Sequence, residues 1–121
     1  MKINYKKLDD SKKLVQFLEG IFPLETDKKF FWVWTSTKVY GIVSNVKSIT
    51  IKAFSEIDNV LLYDDKESEI KSDCLNIINL NMTDKNEFLF ELKNEFTVVN
   101  DDRVLGIRII GILVDDEVIF P

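Results

Sequence analysis

The sequence predicts a single α+β domain over residues 1–121. Its sheet should be a mostly antiparallel, strongly bent meander of about six strands, with two amphipathic helices packed on it. Three observations lead there. Residues 30–54, FFWVWTSTKVYGIVSNVKSITIKAF, hold both tryptophans and are broken by two short polar turns, as in consecutive antiparallel strands. Residues 11–22 and 84–96 space their apolar side chains by three and four, as a helix with one buried face does. Helices and strands do not alternate along the chain, which argues against a parallel α/β sheet.

In chain order, Ile3 and Tyr5 alternate with polar neighbours and suggest a short leading strand. Asp9, Asp10 and Ser11 offer helix caps, Leu14, Val15, Phe17, Leu18, Ile21 and Phe22 supply the apolar stripe, and Gly20 and Pro23 end the helix. Residues 30–35 are apolar and aromatic almost throughout, the reading for a strand buried on both faces. Residues 36–38 turn and 39–44 return, with Gly41 marking a bulge or the close passage of an aromatic ring. Ile49, Ile51 and Ala53 belong to a third strand and residues 60–63 to a fourth. Residues 64–73 read as a loop or hairpin tip, and 74–82 as a fifth strand with Ile78, Leu80 and Met82 on one face.

Asp84, with Glu87 three residues on, resembles a capping box for the second helix. Phe88, Leu89, Leu92 and Phe96 form its stripe, with Phe90 at the margin. Residues 104–114 are rich in β-branched side chains and favour a strand bent at Gly106 and Gly111. Asp115, Asp116 and Glu117 turn the chain into a last short segment, 118–120.

Composition excludes much chemistry. There is no histidine, which removes the commonest general base and, with a single cysteine, any ordinary zinc site or Ser-His-Asp or Cys-His nucleophile. The cysteine, Cys74, is expected half or fully buried as a small core residue. The glycines form neither a GxGxxG nor a phosphate loop. Asp64, Asp65, Glu67 and Glu69 superficially suggest a calcium loop, but glutamate stands at the sixth position and Leu75 at the twelfth. No catalytic residue, cofactor or metal is therefore expected, and the chain reads as a non-enzyme. The start of the chain shows no secretory pattern, and the run 104–114 is shorter than the ~20 residues of a membrane helix, so a cytoplasmic protein without a membrane partner is expected.

Net charge is −5, unevenly spread. Residues 1–52 hold ten lysines against five acids, and residues 53–121 hold sixteen acids against six bases. With two arginines and an acidic total, nucleic-acid binding is not expected. The acids gather at Asp64, Asp65, Glu67 and Glu69, at Asp101 and Asp102, and at Asp115, Asp116 and Glu117. Held out on loops, these would bind another protein with a basic surface and steer its approach. A bacterial immunity or inhibitor protein that occludes a basic toxin or nuclease works in this way. A pleckstrin-homology-like peptide or lipid module, built on the meander and the helix at 84–96, is the alternative; a hydrolase using carboxylates alone is a second. The aromatic stretch 30–54 reads as scaffold in all three.

Overall fold

Two-residue alternation, not helical spacing, organises the chain. The computed structural model describes residues 3–121, and none of them is helical. The strands are β1 (Ile3–Lys6), β2 (Leu14–Ile21), β3 (Glu25–Thr26), β4 (Phe31–Ser44), β5 (Ser48–Phe54), β6 (Asn59–Tyr63), β7 (Lys66–Ile70), β8 (Asn76–Asn81), β9 (Glu87–Leu92), β10 (Arg108–Val114) and β11 (Glu117–Phe120). All their pairings are antiparallel. The α+β expectation is thus corrected: the domain is all-β.

The 14-residue strand β4 organises it by belonging to two layers. Its second half lies between β2 and β9, and the layer continues through β1 on one side and β6 and β7 on the other. Its first half lies between β3 and β10, and that layer continues through β5 to β8, with β11 on the far end of β10. The result is a nearly closed, barrel-like antiparallel sheet in the order β7-β6-β9-β4-β10-β5-β8. Side chains close part of the seam. Tyr63 on β6 donates its hydroxyl to the Asn81 carbonyl on β8 at 2.6 Å, and burial pushes its pKa up to about 12.

Inward-facing residues of both layers make one core. Phe17, Val39, Phe88, Phe90 and Leu61 come from the first layer and Ile49, Ile51, Leu80, Ile109 and Ile112 from the second. Gly41 lies opposite Phe88 in register. A Cβ on Gly41 would stand 2.3 Å from the Phe88 ring, which packs edge-on against Phe17 at 5.2 Å. The expected close passage of an aromatic ring is therefore present.

Both expected helices are strands, for one reason. In β9, Phe88, Phe90 and Leu92 are buried while Glu87 and Leu89 are exposed, the alternation of a half-buried strand. Asp84 has φ 61°, unlike the extended backbone of a helix N-cap. In β2, Val15, Phe17 and Ile21 point inward. Two register shifts along its pairing with β4, with Gly20 at φ 91°, make a bulged strand. Apolar residues on both faces of that strand imitate a three-and-four spacing. The pleckstrin-homology-like alternative loses the helix on which it rested.

Residues 36–38 do not turn but continue β4. Much of 64–73 is the hairpin strand β7. Phe30 and Phe31 are exposed, so the start of the aromatic run is not buried on both faces, and Cys74 is exposed rather than core.

Candidate functional site

The fold uses most of the expected loop acids internally. Asp64 and Asp65 have φ of 53° and 61° and form the two-residue turn between β6 and β7. Asp115 and Asp116, at 46° and 68°, do the same between β10 and β11. Tight antiparallel turns need this left-handed backbone, and aspartate tolerates it. Asp64 then pairs with Lys85 at 3.1 Å. Asp115 pairs with Lys13 at 2.6 Å and accepts the backbone N–H groups of Lys47 and Ser48 at 3.0 and 2.9 Å. Burial pushes its pKa up, but the hydrogen bonds from Lys13, Ser48 and Lys47 outweigh this and hold it below the ordinary value.

Asp101 grips Arg103, which also reaches Glu25 at 3.3 Å. Hydrogen bonds from the Arg103 side chain, and then its backbone, bring the Asp101 pKa down to about 2. Glu117 accepts the Tyr5 hydroxyl at 2.6 Å and faces Lys7 at 3.7 Å. That hydrogen bond raises the Tyr5 pKa to about 12. Asp65, Asp102 and Asp116 carry no ion pair among the described residues, and Glu69 pairs with Lys71. These acids lie at separate places and form no single cluster: Asp115 and Glu117 meet the β1–β2 lysines, Asp64 meets Lys85, and Asp101 meets Arg103.

Acidic side chains that make no ion pair among the described residues stand instead on a sheet face. Lys38, Glu91, Leu62 and Glu67 oppose one another in one row across β4, β9, β6 and β7. Beside it, Tyr40 has Leu89 opposite on β9 and Glu19 opposite on β2. Tyr40 donates to Glu87 at 2.9 Å, which raises the tyrosine pKa. Glu19, Glu67, Glu87 and Glu91 have no ion-pair partner among the described residues. Lys38 and the exposed Lys93 interrupt this face, and Lys66 and Lys85 line the hollows beside Leu62 and Tyr40. Between the glutamates sit Tyr40, Leu62 and Leu89, the last 46% exposed. Of these glutamates only Glu67 is expected from the sequence to meet a partner. The alternation of Glu87, Phe88, Leu89, Phe90 and Glu91, read with period two, places Glu87 and Glu91 on the outer face.

The second layer carries a different surface. Asp27, Phe30, Trp32, Phe54, Arg108 and Ile110 line a cleft of about 430 Å³. The Arg108 guanidinium lies 5.7 Å from the Trp32 ring centre and 5.8 Å from those of Trp34 and Phe54. Trp34 is held from behind by stacking on Phe96 at 6.2 Å.

No group of acids and cysteine among the described residues is arranged to hold a metal ion, and no helix is long and apolar enough to cross a membrane. No protein-family model, no curated protein and no solved structure matches the chain.

Proposed function

We propose that the protein is a small binding module that docks a basic protein surface on the outer face of β4, β6, β7 and β9. The observation that carries this is the set of glutamates without an ion pair among the described residues, Glu19, Glu67, Glu87 and Glu91, spaced around half-covered Tyr40, Leu62 and Leu89. Interfaces combine an apolar, aromatic centre with a charged rim, and complementary charge speeds encounter and selects the partner. The net charge of −5 adds long-range attraction for a basic partner. An immunity or inhibitor protein that covers the basic cleft of a toxin or nuclease has these requirements, and that is the role we assign. The loop acids act here as turn formers and ion-pair partners, so the binding surface moves from the loops to the sheet.

The experiment mixes the purified protein with the product of its neighbouring gene and follows association against ionic strength. Association is expected to slow steeply with salt, and the charge reversals Glu67→Lys and Glu91→Lys together to slow it by about tenfold or more. A neighbouring product that does not bind, or an association rate indifferent to both salt and charge reversal, overturns the reading.

A further inference from the structure

The cleft around Arg108 holds donors that no acceptor among the described residues meets within hydrogen-bond distance. The arginine presents a planar fork of N–H groups, and its side chain is only 34% exposed. Its nearest acid is Glu56, at 4.0 Å, beyond hydrogen-bond distance. Asp27, on the rim, spends its Oδ1 on the backbone N–H groups of Lys29 and Phe30, both at 2.8 Å. Trp32, which lines the same cleft, has a buried Nε1–H with no hydrogen-bond partner. Natural proteins satisfy nearly all buried polar groups, so the orphan Nε1–H, on a ring whose centre lies 5.7 Å from the Arg108 guanidinium, is the group here that wants an acceptor. The walls are flat and aromatic: Phe30, 61% exposed, Trp32 and Phe54.

We infer that this cleft binds a small aromatic carboxylate. The guanidinium fork takes the carboxylate side-on, and a planar body lies among Phe30, Trp32 and Phe54. Arginine matches carboxylate geometry through two parallel hydrogen bonds, stronger than neutral ones. A single carboxylate fits better than a phosphate. Among the described residues Arg108 is the only cation lining the cleft, and Asp27 and Glu56 nearby repel a dianion more strongly than a monoanion. The volume, about 430 Å³, lies in the range of small-molecule sites. The surface is separate from the glutamate face and does not depend on it.

Both tryptophans of the chain adjoin Arg108, so the two indole N–H resonances report on the site directly. The ¹⁵N-labelled protein is titrated with trans-cinnamate and, separately, with cinnamamide, which has the same body without the charge. A saturable shift of the Trp32 indole signal with cinnamate is expected, at least about tenfold weaker with the amide, from the loss of a charge-assisted pair. Arg108→Gln should weaken cinnamate binding by a similar factor. Phe30→Ala, at an exposed position that leaves the fold alone, should weaken both probes. Equal binding of cinnamate and cinnamamide, no saturable shift, or full affinity in Phe30→Ala overturns the proposal. A short peptide ending in phenylalanine with a free carboxylate that binds far more tightly than cinnamate overturns it in favour of a protein chain end.

Discussion

Phe90→Ala is expected to cost about 3–5 kcal/mol of stability in equilibrium urea unfolding, the range for emptying a well-packed aromatic site. Leu89→Ala, one residue away, should cost no more than about 1 kcal/mol, as surface substitutions do. The contrast follows from β9. Phe90 is fully buried opposite Val39 on β4, whereas Leu89 is exposed beside Tyr40. A helix over residues 84–96 would reverse the order, since its apolar stripe contains Leu89 and leaves Phe90 at the margin. The pair of measurements therefore tests the strand assignment as well as the core. Equal losses at both positions would contradict the alternation on which the first layer rests.

The second large effect is expected at Asp115. Asp115→Ala should cost about 3 kcal/mol, from the loss of charge-assisted bonds to the backbone of Lys47 and Ser48 together with alanine at a left-handed turn position. The side chain is only 14% exposed and φ is 46°. The Lys13 pair is partly solvated and adds less than about 1 kcal/mol. Asp115→Asn keeps an acceptor oxygen and suits the same backbone, so it should recover most of the loss.

The pH dependence has a definite sign. The folded pKa of Asp115 lies below the unfolded value of about 3.9. Its contribution is complete above the unfolded value and is withdrawn as pH falls through the folded one. Acid unfolding of Asp115→Ala should therefore show a shallower loss of stability below about pH 4. An unchanged acid limb together with wild-type stability would mean that Asp115 does not clamp the β4–β5 turn to the β10–β11 turn.

The sequence made the strands legible where one face alone is apolar. Ile49, Ile51 and Ala53 in β5, and Ile78 and Leu80 in β8, alternate cleanly and lie where periodicity puts them. It misled where a strand is apolar on both faces or bulged. Leu14, Val15, Phe17 and Leu18 satisfy a helical spacing because the outward Leu14 and Leu18 are half-covered while Val15 and Phe17 fill the core. In β9, Leu89 on the outer face does the same. Local spacing cannot separate these cases; the neighbouring strand β4, which pairs with both, decides them.

The acids show a parallel limit. Their positions were visible, but whether each meets a lysine is settled by strands far apart in the chain. Asp115 meets Lys13 from the opposite end, while Glu67 and Glu91, the latter opposite Lys38, make no ion pair among the described residues. Arg108 gave little signal in the sequence, because Trp32, Trp34 and Phe54 surround it only after β4, β10 and β5 come together.

The two memberships of β4 also bear on how the chain acquires its structure. Lys38 finds its register partner at Glu91 and Trp34 finds its own at Arg108, so the aromatic strand, flanked on one side by β2 and β3, depends on the last third of the sequence for its other flank. During synthesis Trp34 must wait for Arg108, its register partner, until β10 has left the ribosome. Such distant pairings make the search slow, and refolding in milliseconds to seconds is expected, as for other sheets dominated by long-range contacts. Stopped-flow tryptophan fluorescence reads this step, since Arg108 of β10 lies over both indoles once it docks. A microsecond burst that accounts for the whole signal would show that the aromatic strand finds cover locally, before the ends of the chain meet.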